Sequence, residues 1–435
     1  MRSPRPRRLF ATIALGGSAA LVLAGCTSGS TDDNTAAGDL DGVTLNVASD
    51  WSGAEQTNFE KVLAKFSDDT GATVNYTSYG TDVATTLNTK VEGGDPPDVA
   101  VIPQPGLLQS LAADGSLIGL DEATRDEIDA NYSQDWIDLG SADGTLYGVW
   151  FKAANKSTVW YNTDVYDTAG ADIPETWEDF NDQLGVISDS GVYGLSIGAD
   201  AGWPMTDWFE NVYLRTAGAD LYDQLATHEI PWTDPSVAEA LTELGTLWAN
   251  TTVIQPGTAQ RTFGDSVIAV FGDPPAAGTV FEGDFVAGNI TSDTTAVVGE
   301  TAQFYDFPSI NDSVPSVVGG GNVAVQLTEN DGAAELMHYL ATPEAATIWV
   351  QEGGFTSPNQ NVDINAYPDD TGRAIADALI AADVFRFDMS DLAPSAFGGT
   401  KGAGEWQILI DFFNNPTDVA GTQQKLEDAA AAAFG

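Results

Sequence analysis

The strongest constraint on the fold is an alternation of strand and helix patterns that begins at residue 43. Val43, Leu45 and Val47 alternate with smaller residues, which predicts a strand over residues 43–48. The stretch Ser52-Gly-Ala-Glu55 then has the capping-box pattern of a helix start. The apolar positions that follow have helical spacing: Phe59, Val62, Leu63 and Phe66.

The same alternation continues to residue 102. Val74 and Tyr76 mark a second strand, residues 81–91 a second helix, and residues 98–102 a third strand whose continuous apolar character suits burial on both faces. This order predicts an α/β fold with a parallel sheet covered by helices. Right-handed crossovers would then place the carboxyl ends of the strands along one edge of that sheet.

Beyond residue 150 the sequence is richer in helix patterns and aromatic residues. Helices are predicted over residues 174–187, 205–216, 235–249, 332–341, 343–351, 370–382, 404–414 and 416–433. Strands are predicted at residues 266–271, 303–307 and 322–327. No long linker separates the two parts, so we expect two lobes between which the chain crosses more than once.

The first 25 residues have the features of a secretory signal peptide. Four arginines precede an uncharged apolar run over residues 9–24, which is shorter than the ~20 residues of a membrane-spanning helix. Leu23-Ala-Gly-Cys26 resembles the bacterial lipobox and contains the single cysteine of the chain. We therefore predict lipidation at Cys26 and a flexible tether over residues 26–41. The alternative, an uncleaved membrane anchor, is disfavoured by Gly16, Gly17 and Ser18.

The charge balance excludes one class of partner. The four leader arginines are among the 16 lysines and arginines, so 12 cations face 64 acidic residues and the remaining chain has a formal charge of −52. Binding of nucleic acid needs clustered cations, so we expect no nucleic-acid partner. A hydrophobic content of 43% with 11 tryptophans favours a folded core over disorder.

Polar and aromatic side chains follow the first and third predicted strands. Asp50 and Trp51 come directly after the first strand, Glu55 opens the first helix, and Gln104 follows the third strand. Ligands of open parallel sheets bind outside the carboxyl ends of the strands. Singly, Asp50 could only start a turn, Glu55 could only serve the capping box, and Gln104 could be a loop residue. Together at one edge, they favour a ligand site.

A second candidate group lies at the start of the helix near residue 205. Trp203, Asp207 and Trp208 combine two indole rings with a carboxylate. A sugar packs its C–H face on an aromatic ring, and its hydroxyls donate hydrogen bonds to charged acceptors. The alternative places Trp208 in the core and Trp203 on the surface.

A third candidate group comes late in the chain. Gly320 and Gly321 permit close approach of the backbone to a ligand, and Arg386 lies near Asp388. The alternative for Arg386 is an ion pair on the surface.

Catalytic and metal signatures are poor. His228 and His338 are the only histidines, no ligand cysteine accompanies them, and the G-x-S-x-G elbow of serine hydrolases is missing. We therefore expect no enzyme, no cofactor and no metal ligands among the site residues, and calcium binding through Asp-rich loops stays open. A pair of carboxylates that hydrolyses glycosides remains an alternative, because the sequence does not show the distances between its 64 acidic residues.

Several stretches together resemble extracellular solute-binding proteins of carbohydrate ABC transporters, and the alpha-glucoside group most of all. The stretches are Ser49-Asp-Trp51, GGDPPDVAVIPQPG at 93–106, Trp160-Tyr-Asn162, Pro174-Glu-Thr-Trp177, GWPMTDW at 202–208 and RFDMSD at 386–391. The resemblance implies a two-lobed, maltose-binding-like fold of type II. Lobe 1 would comprise residues 42–151 and 303–355, and lobe 2 residues 152–302 and 356–435.

The resemblance also implies a function and a site. A monomeric, lipid-anchored receptor on the extracellular face of the membrane would close around a sugar and deliver it to ABC permease subunits. The site would use Asp50, Trp51, Glu55, Gln104, Trp203, Asp207, Trp208, Gly320, Gly321, Arg386 and Asp388. Residues 271–275 depart from the pattern, because relatives often carry a tryptophan there. A secreted glycoside hydrolase or lyase, and a receptor for a non-sugar solute, are the alternatives.

Overall fold

The computed structural model describes residues 40–382 and 384–435. The signal peptide, Cys26 and nearly all of the tether lie outside these residues. The strands are β1 Thr44–Ser49, β2 Thr73–Ser78, β3 Val99–Ile102, β4 Ser141–Ala142, β5 Thr145–Leu146, β6 Gly148–Asn155, β7 Thr158–Asn162, β8 Tyr193–Ser196, β9 Ala277–Phe281, β10 Ala302–Asp306, β11 Ser316–Gln326 and β12 Val384–Phe387.

Helices surround these strands. They are α1 Gly53–Thr70, α2 Val83–Glu92, α3 Pro105–Ala113, α4 Glu122–Asn131, α5 Gln134–Leu139, α6 Thr163–Ala169, α7 Trp177–Asp189, α8 Trp203–Ala217, α9 Ala219–Ala226, α10 Pro235–Trp248, α11 Phe263–Phe271, α12 Val286–Asp293, α13 Asp331–Leu340, α14 Pro343–Val350, α15 Asp370–Ala381, α16 Met389–Leu392, α17 Ser395–Gly398, α18 Gly404–Asn414 and α19 Val419–Phe434. Within the described residues, none of these helices is both long and apolar enough to cross a membrane.

The larger sheet has six strands. Its order is β12-β11-β3-β1-β2, with β6 also paired to β11. β1 runs parallel to both β2 and β3, with Val47 opposite Tyr76 and Val99. The predicted parallel arrangement of the first three strands is therefore confirmed, and their carboxyl ends meet at one edge.

The smaller sheet has four strands in the order β10-β7-β9-β8. The chain passes from the larger sheet to the smaller one between β6 and β7, and returns between β10 and β11. Each sheet packs against its own apolar core: Phe59 belongs to that of the larger sheet and Leu244 to that of the smaller one, and both are fully buried. A further apolar cluster, with Trp160 and Val280, also packs on the smaller sheet. β12 pairs with β11, so residues 384–387 belong to the larger sheet. The lobe boundaries stay a prediction.

The strand predicted at residues 266–271 is wrong. These residues lie in α11, whose Thr262 cap accepts a hydrogen bond from the Asp265 N–H. Only one face of the helix is buried, and it carries Ser266, Val267, Val270 and Phe271. A short run of β-branched residues fits either structure, and here the cap and the burial of one face decide for the helix. The strand follows the cis peptide Asp273–Pro274 as β9.

Candidate functional site

A cleft of about 380 Å³ lies between elements of the two sheets. One wall follows β1 and β3, and the other is built from α8, α11 and the ends of β9 and α17. β6 and β11 supply its floor. The lining residues used below are Asp50, Trp51, Glu55, Gln104, Lys152, Lys156, Trp203, Phe263, Phe285, Gly321, Asn322, Asp388, Asp391, Lys401 and Trp406.

The loop after β1 is held by a tyrosine of the neighbouring strand. The Tyr76 hydroxyl donates to the Trp51 carbonyl at 2.7 Å and lies 2.6 Å from the Ser49 hydroxyl oxygen, which accepts from the Trp51 N–H at 3.0 Å. Trp51 is 2% exposed and packs edge-on against Phe59 and Trp349. Trp51 therefore mainly fixes the wall and presents little area to a ligand.

Asp50 is the most perturbed carboxyl on this wall. Its Oδ1 accepts a hydrogen bond of 3.0 Å from the Asn322 side chain. Burial, followed by repulsion from Glu55, raises the pKa of Asp50 to about 7. Asn322 reaches Asp50 from a register shift in the pairing of β11 with β6, and such irregularities often redirect a side chain towards a site.

Two further groups complete the wall beside Asp50. Lys152 donates to Glu55, and its ammonium group lies 5.4 Å from the Trp349 ring centroid and 5.5 Å from that of Phe285. Gln104 is 3% exposed, and its Oε1 accepts no hydrogen bond from the described residues. That side-chain oxygen is free to accept from a ligand hydroxyl.

The opposite wall is aromatic. The Trp203 ring lies 5.4 Å from Phe263 and 5.9 Å from Phe285, measured between centroids. Trp406 packs against the start of α8, where Gly202 has φ +103° and a Cβ would come within 2.6 Å of the Trp406 Cβ. The glycine thus lets Trp203 and Trp406 line the same side of the cleft.

Lys156 is held in the cleft floor by three carboxylates. Its Nζ lies 3.2 Å from Asp207 and 3.6 Å from Asp391, and it also pairs with Asp388. Burial alone would lower the pKa of Lys156, but these carboxylates raise it well above its ordinary value. Burial likewise opposes ionisation of Asp388, yet Lys156 and several hydrogen bonds lower the pKa of Asp388 to about 2. The ammonium also lies 5.9 Å from the Trp203 centroid.

More acids surround this lysine than it can neutralise. We call the set the acid cluster: Asp207, Glu210, Glu282, Asp388, Asp391 and Glu405. Burial and mutual repulsion raise the pKa of Glu210, Glu282, Asp391 and Glu405 well above the ordinary range. Burial raises the pKa of Asp207 to about 7. Ionising all of these neighbouring carboxyls together is therefore unfavourable, because burial and mutual repulsion both oppose it.

The structure places the predicted site residues Trp208, Arg386 and Gly320 outside the lining of the cleft. Trp208 is 1% exposed and packs on Phe281 in the core of the smaller sheet, so it does not reach the cleft. Arg386 does not line the cleft and instead forms a two-bond ion pair with Asp223 at 2.5 and 2.9 Å. Gly320 also lies outside the lining, because it faces the Lys156 stem, where a Cβ would come within 2.8 Å of Cε.

The other predicted residues come together at the cleft. Asp50, Trp51, Glu55, Gln104, Trp203, Gly321 and Asp388 line it, while Asp207 is fully buried beneath it and holds Lys156. Sequence reasoning missed Lys152, Lys156, Asn322, Phe263 and Phe285. A usable signal existed for the lysines, because cations are scarce in this chain and two of them follow each other closely at the end of β6.

The arrangement suits an uncharged polar ligand. Lys152, Lys156 and Lys401 line the cleft, and each is already paired with a carboxylate, so none of the three offers a free cation to an anion. Indole faces and carboxylate or amide acceptors face the same space. Among the described residues, no group of three or more histidine, cysteine or acidic side chains has the geometry to hold a metal ion.

Comparison with known proteins places this architecture among receptors. Residues 50–347 match the family model described as bacterial extracellular solute-binding protein. The chain is 35% identical over 386 residues to the osmoprotective compounds-binding protein GgtB of Synechocystis sp., covering 86% of this chain and 90% of the relative. It is 34% identical over 411 residues to the alpha-glucosides-binding periplasmic protein AglE of Rhizobium meliloti, covering 90% and 88% respectively.

Solved structures show the same fold. The bacterial solute receptor AcbH, described as preferring β-D-galactopyranose, superposes with a TM-score of 0.79 at 22% identity, over 92% of this chain and 100% of that one. A chitin oligosaccharide binding protein gives a TM-score of 0.78 at 18% identity, over 90% and 99%. These likenesses confirm the predicted two-lobed fold.

Proposed function

The chain belongs to the bacterial extracellular solute-binding protein family, and on that premise we propose that it captures a sugar in the cleft between its two sheets. The ligand we propose is an alpha-glucoside or another oligosaccharide. The names of AglE and AcbH support a carbohydrate. The observation that carries the proposal is that the Trp203 indole and the acceptors Asp50 and Gln104 face one cleft from opposite walls.

The contacts available in the cleft suffice for ordinary receptor affinity. A dissociation constant of 1 μM corresponds to about −8 kcal/mol. Hydrogen bonds to charged groups contribute about 1.5–3 kcal/mol each, so a few of them plus stacking on Trp203 offset the cost of ordering the ligand. The volume of the cleft lies within the range of ligand pockets, roughly 300–1,000 Å³.

Capture would proceed by movement of the lobes without chemistry on the sugar. A ligand that touches both walls binds the closed arrangement more tightly than the open one. It shifts the equilibrium towards the closed arrangement only by that difference in affinity. Hinge closure in periplasmic binding proteins is an established example of such movement. The loaded receptor, a monomer tethered through a lipid on Cys26 at the extracellular face, would then deliver the sugar to ABC permease subunits.

A thermal-shift screen tests the proposal. Maltose, trehalose and sucrose are compared with amino acids and dipeptides, and hits are titrated by calorimetry. Saturation at about 100 times the dissociation constant stabilises the folded chain by about 2.7 kcal/mol. We expect a sugar to raise the melting temperature and to be recovered intact after a day of incubation. Stabilisation by amino acids or peptides alone would show that the ligand is a non-sugar solute. Release of monosaccharide would show that the chain is a hydrolase.

Two tryptophan variants locate the binding. Trp203→Ala removes the stacking surface, and we expect the affinity for the sugar to fall at least ~10-fold. Trp208→Phe is the matched control, because this ring is buried in the core of the smaller sheet and does not line the cleft. We expect that variant to lose stability and to keep its affinity. Equal affinity in Trp203→Ala and the wild type would contradict the proposed site.

A further inference from the structure

A second cavity of about 310 Å³ lies behind the cleft and shares no lining residue with it. We call it the α12 cavity. One side is formed by Asp284, by Ala287 and Thr291 of α12, and by residues 296–298; the other is formed by residues 352–356, 367–369, 371–372 and 375. Asp284 and Phe285 separate the two spaces: Asp284 lines the α12 cavity, and the next residue lines the cleft.

The walls of the α12 cavity are mostly apolar. They include Ala287, Val298, Phe355, Tyr367 and Ile375. Phe355 and Ile375 at its base are 3% and 2% exposed, while Val297 and Pro368 at its rim are exposed, so the cavity opens to solvent on one side. A concave, mostly apolar wall with a few polar groups is the usual form of a small-molecule site.

All charged residues described as lining this cavity are acidic: Asp284, Glu352 and Asp369. Two of them are already engaged. Glu352 pairs with Lys61 at 2.8 Å, and Asp369 caps α15 by accepting from the Gly372 N–H at 2.7 Å. Asp284 is therefore the acidic residue of this lining that is neither paired with Lys61 nor used as a helix cap.

Asp284 keeps an unused acceptor. It is 3% exposed, and its Oδ2 accepts from the Thr356 hydroxyl. Its Oδ1 accepts no hydrogen bond from the residues that the structure describes. A buried carboxylate oxygen without a partner is costly, and a ligand that donates to it recovers that cost.

Among the residues that the structure describes, no cation forms an ion pair with Asp284. Lys152 is the cation that acts on it most, and the Lys152 ammonium is bonded to Glu55. Burial raises the pKa of Asp284 to about 6, with Lys152 opposing the shift, so the carboxyl is ionised above that pH. One lysine thus serves two carboxylates, and an anionic charge remains beside an apolar cavity.

We propose that the α12 cavity is a second ligand site and that it binds a compact organic monocation with an apolar body. The cationic N–H group donates to Asp284, and the apolar body packs against Phe355 and Tyr367. The site is separate from the sugar cleft and does not depend on the function proposed for that cleft.

Calorimetry with three isosteric probes tests this proposal at about pH 8, where Asp284 is ionised. The probes are benzylammonium, benzyl alcohol and benzoate, added to the chain without sugar. We expect one benzylammonium to bind per chain, with the alcohol at least ~10-fold weaker, which corresponds to ~1.4 kcal/mol, and benzoate weaker still. Equal binding of the alcohol and the cation, or no binding of the cation, would overturn the proposal.

Three variants assign the binding to this cavity. Asp284→Asn keeps an acceptor for Thr356 and removes the charge, so the preference for the cation should disappear. Ala287→Phe fills the cavity and should abolish binding even if Asp284→Asn fails to fold. Trp203→Ala alters only the cleft and should leave benzylammonium affinity unchanged. Binding that survives Ala287→Phe, or that is lost in Trp203→Ala, would place the cation in the cleft and refute the second site.

Discussion

Replacing Lys156 by methionine would test the electrostatics of the cleft floor. The Lys156 side chain is 12% exposed, and its partners Asp207 and Asp388 are 0% and 1% exposed. Removing one partner of a buried ion pair costs about 3–5 kcal/mol, because the remaining charge is left without compensation. For the 395 residues that the structure describes, this loss corresponds to a fall in melting temperature of about 4–6 °C.

The loss should depend on pH in a defined direction. The pKa of Asp388 is about 2 in the folded chain against an ordinary 3.8, a difference that contributes about 2 kcal/mol. Because the folded-state pKa is the lower one, this stability is present above pH 3.8 and is lost as the pH falls through 2. The deficit of Lys156→Met relative to the wild type should therefore be largest near neutral pH and shrink in acid.

Urea unfolding followed by tryptophan fluorescence measures both effects. Lys61→Met is the matched control, because Lys61 and Glu352 are 43% and 41% exposed and such a pair contributes less than ~1 kcal/mol. Lys156→Arg keeps the positive charge and should lose less stability than Lys156→Met. A loss below ~1 kcal/mol for Lys156→Met, or a loss that is the same in acid as at neutral pH, would refute the assignment of Lys156 as the counter-ion of the cluster.

Three further changes have defined outcomes. Because the pKa of Asp50 is about 7, sugar affinity measured by calorimetry should rise as the pH increases through 7, and Asp50→Asn should remove that rise; an unchanged slope would exclude Asp50 as the titrating acceptor. Glu405→Gln should raise the free energy of unfolding, because the folded state disfavours the charged form of Glu405. The gain should be absent near pH 4 and grow as the pH rises above the ordinary pKa of 4.5. A gain that is the same at all pH values would contradict this prediction. In urea unfolding, Gly354→Ala should cost more stability than Gly94→Ala. Both glycines have positive φ, but only at Gly354 would a Cβ come within 2.7 Å of the Gly288 nitrogen. Equal costs would show that the backbone around Gly288 moves away from the added Cβ without loss of stability.

Several strands and helices were predicted well because their sequence signals are local and consistent, whereas no element was predicted over residues 105–155, where the structure has α3, α4, α5 and β4 to β6. The predicted strand over residues 43–48 is β1 at Thr44–Ser49, and the helix predicted over 332–341 is α13 at Asp331–Leu340. In these segments the apolar periodicity and the turn residues favour the same secondary structure, so the structure of the segment does not depend on contacts with the rest of the chain. At residues 266–271 the apolar run was too short for its period to separate helix from strand.

The cleft was predicted in part, for a physical reason. Asp50, Trp51 and Gln104 were found because they follow parallel strands, whose ends must meet. Lys152 and Lys156 were missed because Lys152 lies on β6 and Lys156 directly follows it, and β6 joins the sheet by pairing with β11, more than 160 residues later in the chain. Trp208 was misassigned because the position of a ring around a helix does not reveal which side faces the core.

The central strand of the larger sheet has a consequence for making the protein in pieces. β11 joins β3, β6 and β12, and all 11 of its residues are buried. A fragment that stops before residue 316 would display the open edges of β3 and β6, which are templates for aggregation. Because the larger sheet is completed only after β11 has been synthesised, we expect its assembly to be late and slow, and a fragment that ends before residue 316 to aggregate.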